Sequence, residues 1–234
     1  MSTDRQMLLD LGARPSLARD DLIATASNKA AIGLIDSWPN WPAPVAFVFG
    51  PAGSGKSHIA AVWTAMAGAH RLADPCAPSP RDIAIAQTGQ PVLCDGLVPA
   101  DLDETALFHL INAVRGAGGS MLALATAASA PAQWAVRTPD LASRLRAATQ
   151  VELKLPDDML LRAVAAKLFA DRQIAIDPAV IEYIVARLER SLAAVIEAVD
   201  RLDRAALARK SRITRPLAAQ VLGAAEPGQG ALDS

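Results

Sequence analysis

The octapeptide Gly50-Pro51-Ala52-Gly53-Ser54-Gly55-Lys56-Ser57 constrains this chain more than any other stretch. An apolar run, Val45-Ala46-Phe47-Val48-Phe49, precedes it, and Ile59-Ala60-Ala61-Val62-Trp63 follows with helical apolar spacing. Strand, glycine loop and helix in that order are the setting of a phosphate-binding loop, or P-loop. Gly50, Gly53 and Gly55 let backbone N–H groups turn inward toward an anion with no Cβ in the way. The helix beginning near Lys56 adds its positive N-terminal end, Lys56 reaches the β and γ phosphates, and the Ser57 hydroxyl completes a magnesium coordination sphere. The expected ligand is ATP or ADP with Mg2+.

Further strand ends extend this reading. Pro91-Val92-Leu93-Cys94-Asp95 reads as a short buried strand ending in an acid 39 residues after Lys56, where P-loop proteins hold the magnesium through water. Asp95 is therefore the expected metal residue beside Ser57. Gly96 stands where many ATPases carry a second acid that orients the attacking water, so slow hydrolysis by the chain alone is expected. Met121-Leu122-Ala123-Leu124-Ala125-Thr126 is the next strand, and its terminal hydroxyl, Thr126, falls at the crevice where parallel strands end.

The remaining segments read as scaffold. Ser27 is a capping candidate for a helix over 28–35, Trp38 and Trp41 are packing residues, and His109 is a surface residue on an amphipathic helix over 104–114. Residues 150–156 read as a strand with Val151, Leu153 and Leu155 on its apolar face. From Asp157 onward the signals are helical, with turns near 173–178 and 188–191 separating three patterns. The clearest stripe is Leu192, Val195, Ile196, Val199 and Leu202. The expected fold class is α/β: a parallel P-loop sheet flanked by helices over 15–156, then a small all-helical domain over 157–222 and a Gly-rich, disordered tail over 223–234.

Charge and cysteine content exclude several classes. A formal net charge of −1 argues against gripping nucleic acid by bulk electrostatics. Residues 162–215 hold 11 Lys/Arg against 7 Asp/Glu, a bias that fits a solvated helical surface. Cys76 and Cys94 form neither a metal spacing nor a disulfide framework, which suits a reducing compartment. Neither a signal-peptide stretch nor a membrane-length apolar run occurs, so the expectation is cytoplasmic, with no membrane contact.

Taken in order, the P-loop, strand-end acid, polar strand end, Ser-Arg segment and helical lid resemble the AAA+ family, and within it the branch of the bacterial replication initiator DnaA. Gly55-Lys56-Ser57-His58 is similar to the P-loop ending of that branch, which adds His58 to the nucleotide-binding set. Asn28-Lys29-Ala30-Ala31 lies where the family has an Asn-containing helix near the adenine. Leu141-Ala142-Ser143-Arg144-Leu145 resembles the segment whose arginine points at a neighbouring subunit's ATP, which implies a catalytic role for Arg144 as an arginine finger. The aromatic-glycine sequence common after that arginine is replaced by Leu145-Arg146-Ala147-Ala148. Arg190-Ser191-Leu192 is similar to the phosphate-sensing start of the lid helix, so Arg190 is expected at the nucleotide. Residues 1–14 contain Gln6-Met7-Leu8-Leu9-Asp10-Leu11, which resembles the short peptide with which bacterial replication proteins engage the sliding clamp. The short regulatory members of the branch begin with such a peptide and lack the initiator's DNA-binding domain.

The resemblance thus implies a regulator of replication initiation that promotes hydrolysis of ATP on DnaA. Its implied partners are DnaA and the sliding clamp, with DNA reached through the clamp and a homodimer allowed. A self-assembling AAA+ ATPase that loads or remodels a replication or transposition complex is the alternative. A small-molecule kinase sharing only the P-loop is the third, disfavoured by the helical 157–222 region.

Overall fold

The computed structural model describes Arg19 and residues 22–223. The peptide containing Gln6, Met7, Leu8, Leu9 and Leu11 and the tail from residue 224 lie outside the described residues. Five strands, β1 (Val45–Gly50), β2 (His70–Arg71), β3 (Val92–Leu97), β4 (Met121–Thr126) and β5 (Thr149–Glu152), form one parallel sheet in the order β2-β3-β4-β1-β5. The helices between them are α1 (Lys29–Asp36), α2 (Lys56–Ala67), α3 (Pro80–Gln87), α4 (Glu104–Gly116) and α5 (Pro139–Ala147). This is the α/β architecture anticipated from the P-loop.

Both faces of the sheet are covered, which is why its strands are apolar almost throughout. Ala46, Val48, Leu93 and Leu124 pack on one face against Ile32 and Ile35 of α1 and Ile59 and Trp63 of α2. Trp41 stacks on Trp63 with ring centroids 5.5 Å apart, and Trp38 meets it edge-on at 6.3 Å, so both are packing residues as expected. On the other face Phe47, Cys94 and Ala123 pack against Leu107 and Ile111 of α4 and Leu141 and Leu145 of α5. Burial pushes the Cys94 thiol up, so it is an inert core group.

The C-terminal region consists of α6 (Asp158–Asp171), α7 (Pro178–Val185), α8 (Leu192–Arg209) and α9 (Arg215–Gly223) around a core of their own that includes Phe169, Ile184 and Val199. Four helices replace the three expected patterns. The fourth is short, but it buries Leu217 and Ala218 in the same core. None of the helices among the described residues is long and apolar enough to cross a membrane.

Two local expectations are corrected. Helix α1 begins one residue later than expected, with Asn28 at its N-cap instead of Ser27. The Ser27 hydroxyl is engaged with that of Thr25 at 2.8 Å. Strand β5 is also shorter than expected. Leu153 is buried and still donates its N–H to the Phe49 carbonyl at 2.8 Å, but β1 ends at Gly50, and Leu155 beyond it is 43% exposed.

Candidate functional site

The P-loop leaves β1, an interior strand between β4 and β5, at Gly50, where a Cβ would lie 2.1 Å from the Leu153 carbonyl oxygen, so only glycine fits. Gly55 has φ +98° at the N-cap of α2, a conformation L side chains rarely adopt. Between them the loop curls so that Lys56 is nearly buried. Its ammonium donates to the carbonyls of Gly50 at 2.9 Å and Pro51 at 2.7 Å, and lies 3.4 Å from the Ser54 hydroxyl. Burial pulls its pKa below the ordinary lysine value, opposed by the attraction of Asp95.

A cleft of about 690 Å³ opens beside the loop. It is the size of a cofactor pocket, about 300 to 1,000 Å³. One wall is polar: Ala52, Gly53, Gly55, Lys56, Ser57 and His58 from the loop, with Asp95 and Gly96 of β3 and Thr126 at the end of β4. The facing wall comes from the helical region, with Val164, Lys167, Leu168 and Asp171 of α6 and Leu192, Ala193 and Ile196 of α8. The start of α8 rests on the loop itself. A Cβ at Gly53 would lie 3.2 Å from the Ser191 side chain, and one at Gly55 would lie 3.1 Å from the Leu192 methyl.

Asp95 is 9% exposed, and its Oδ2 accepts from the Arg71 guanidinium at 2.8 Å. Gly96, with φ +101°, forms a bulge in β3 directly after it. No group of three or more His, Cys, Asp or Glu side chains able to hold a metal occurs among the described residues. One carboxylate and one hydroxyl, Asp95 and Ser57, nevertheless fit the way Mg2+ is held beside phosphates, by one or two protein oxygens and water.

Several residues singled out from the sequence are not among those lining the cleft. Asn28 is buried with its side chain committed to backbone, accepting from Thr25 N–H at 2.7 Å and donating to the Ile23 carbonyl at 2.8 Å. The exposed Arg190 pairs with Asp158 at 3.1 Å. Pro51 turns outward, exposed.

Arg144 lies in the last turn of α5, half-buried, its side chain making no hydrogen bond or ion pair among the described residues. Its helix is well held. Leu141 and Leu145 are buried, Gln150 donates to the Leu145 carbonyl at 2.9 Å, and the Glu104 carboxylate accepts the N–H groups of Arg137 and Thr138 just before the helix. Those backbone donors lower the Glu104 pKa to about 2.

Sequence reasoning missed Arg71, because a two-residue strand carries no pattern. It also missed the apolar wall, for which the spacing of Leu192 and Ile196 was the available signal.

A P-loop leaving an interior strand of a five-stranded parallel sheet, an acid near the end of β3, and a helical cap resting on the loop make up a P-loop fold of the AAA+ type. Residues 157–222 match the family model of the Hda lid domain. The helical region thus matches a lid of the Hda type.

Solved structures agree on the fold. Domain III of the Thermotoga maritima replication initiation protein DnaA is similar with a TM-score of 0.70 at 15% identity, covering 90% of this chain and 97% of that one. AMPPCP-bound DnaA from Aquifex aeolicus has a TM-score of 0.66 at 14% identity, covering 81% of this chain and 66% of that one. The Thermotoga maritima Holliday junction branch migration motor RuvB reaches 0.67 at 16% identity, over 90% of this chain and 72% of that one. Among curated proteins, an uncharacterized protein of Haemophilus influenzae is 28% identical over 120 residues. That match covers 51% of each sequence, so this chain spans about half the length of the relative.

Proposed function

We propose that this protein is a nucleotide-binding regulator of replication initiation that promotes hydrolysis of ATP held by a DnaA-type initiator. Its own cleft takes ATP or ADP. The loop N–H groups and the Lys56 ammonium receive the phosphates, Ser57 and Asp95 hold Mg2+, and Thr126 faces the terminal phosphate or its water. When bound, Mg2+ neutralises charge across the β and γ phosphates. The apolar faces of α6 and α8 close over the nucleotide and exclude water. Gly96 leaves no second acid beside Asp95 to orient an attacking water, so this site retains its nucleotide more readily than it hydrolyses it.

The observation that carries the reading is the state of Arg144. It is a guanidinium without an acceptor among the described residues, it does not line its own cleft, and it stands on a tethered helix. Offered in trans to ATP on another subunit, such a group stabilises charge developing on the transferred phosphoryl group, an effect of roughly 10³ to 10⁵ in rate. The peptide of Gln6, Met7, Leu8, Leu9 and Leu11 would tie the protein to the sliding clamp, through which it reaches DNA.

The test is hydrolysis of radiolabelled ATP preloaded on DnaA, with clamp-loaded DNA present, comparing this protein with its Gln6→Ala variant. The proposal expects stimulation that the variant largely loses. No stimulation by the unaltered protein, with initiator and clamp both active, would overturn it.

A further inference from the structure

Arg71 has no role in the arrangement described so far, yet it is the partner of the carboxylate at the metal position. Its placement is not accidental to one rotamer. Strand β2 is pinned by His70 N–H to the Pro91 carbonyl at 2.8 Å and Leu72 N–H to the Leu93 carbonyl at 3.0 Å. The Leu72 side chain is buried, and His70 contacts the Asp82 carboxylate at 2.7 Å. Arg71 stands opposite Leu93, two residues before Asp95. Because side chains alternate along a strand, Leu93, Asp95 and Arg71 share one face. That is the face α2 covers, where Leu93 packs with Ile59. The fold therefore delivers this guanidinium to Asp95 from a fixed base.

The charges around the cleft then add up in an unusual way. Asp95 is matched by Arg71 at 2.8 Å, and Asp171 on the lid wall is matched by Lys167 at 3.1 Å. Gly96 contributes no acid. Lys56, whose ammonium rests on the Gly50 and Pro51 carbonyls, adds a positive charge to the cleft lining.

A P-loop site with an unneutralised strand-end acid repels the phosphates until a divalent cation screens it. Here the guanidinium already does that screening. We infer that Arg71 is a positioning and charge-neutralising residue for Asp95, through which the cleft holds nucleotide phosphates with little dependence on Mg2+. This rests on the nucleotide reading of the cleft and deepens it. Arg71 itself does not touch the nucleotide.

The test measures affinity for a fluorescent ATP analogue, the N-methylanthraniloyl derivative, in EDTA and in excess Mg2+. The proteins compared are the full chain, Arg71→Ala, Asp95→Asn and the double variant, each checked for native circular dichroism. The ratio of EDTA to Mg2+ dissociation constants should be near unity for the unaltered protein. For Arg71→Ala it should rise about 2- to 5-fold, the size of effect a solvent-facing ion pair supports. The double variant should return the ratio to the unaltered value, because the carboxylate charge that needed screening is gone.

Equal ratios for the unaltered protein and Arg71→Ala, with both binding, would overturn the role of Arg71 while leaving the nucleotide site intact. A rise that persists undiminished in the double variant would do the same, since the effect would not run through Asp95. Absence of binding by the unaltered protein in either condition would overturn the nucleotide reading and this inference together.

Discussion

The sheet region and the helical region build opposite walls of one cleft in different ways. In the sheet region Gly50 and Thr126 face each other at the ends of β1 and β4, and Asp95 stands opposite Leu124 just before the Gly96 bulge in the neighbouring β3. Their positions follow from backbone pairing, and a buried core on each face holds the strands in register. The helical region brings side chains from α6 and α8 to the cleft, and its core is a separate cluster around Phe169 and Val199. Polar chemistry therefore sits on the part of the molecule that hydrogen-bonded strands make rigid. Closure falls to a part joined to it by a short linker and by contacts of the Ser191 and Leu192 kind.

That contrast can be broken by unfolding. Trp63 and Phe169 are both fully buried, one in each region. Trp63→Ala and Phe169→Ala should each cost about 3 to 5 kcal/mol of the region they occupy. In urea followed by circular dichroism, Trp63→Ala should move the transition of the sheet region and Phe169→Ala that of the helices. A single transition that moves equally in both variants would make the two regions one cooperative unit.

The next effect sharpens the division of labour between the walls. Lys56→Ala should weaken nucleotide binding about 10- to 100-fold, the worth of a charge-assisted hydrogen bond. Titration calorimetry with ATP checks it, and a loss of less than about 2-fold would move the phosphates away from the loop.

The smallest expected effect concerns acid. The Glu104 carboxyl, with a pKa of about 2 against an ordinary 4.5, favours the folded arrangement above the higher value. Its contribution is lost as pH falls from about 4.5 toward 2. Amide exchange at Arg137 and Thr138 should quicken in that window, and Glu104→Gln should remove that pH dependence. Asp157 shows the same direction at the seam between the regions. Burial pushes its carboxyl up, but the Leu160 N–H and the Thr25 and Ser27 groups outweigh that and hold it low.

How much was legible in the sequence follows the same division. The P-loop is contiguous and each position has a steric or electrostatic duty, so eight adjacent letters sufficed. Asp95 and Thr126 could be placed because both close an apolar run, although β3 does not end at Asp95 as expected but continues through the Gly96 bulge to Leu97. Arg71 could not, since its meaning depends on pairing between β2 and β3 across 24 residues. Helix α3 left a signal that went unread: Ser79 and Asp82 form a capping box around Pro80 at the first helical position. Asn28 and Arg190 show the opposite limit. Local similarity assigned both to the nucleotide, yet Asn28 satisfies backbone groups of residues 23 and 25 and Arg190 answers Asp158. Short motifs transfer a residue type reliably, whereas its hydrogen-bond partners are set by neighbours the motif does not contain.

The central claim is that the active guanidinium serves another subunit's nucleotide. The most direct measurement is the rate at which ATP on DnaA is hydrolysed in the presence of clamp-loaded DNA and either the unaltered protein or Arg144→Ala. Nucleotide binding by each is measured alongside. The account predicts that Arg144→Ala binds nucleotide as the unaltered protein does and loses the stimulation by roughly 10³-fold or to background. Full stimulation by Arg144→Ala would contradict it and return that helix to a structural role.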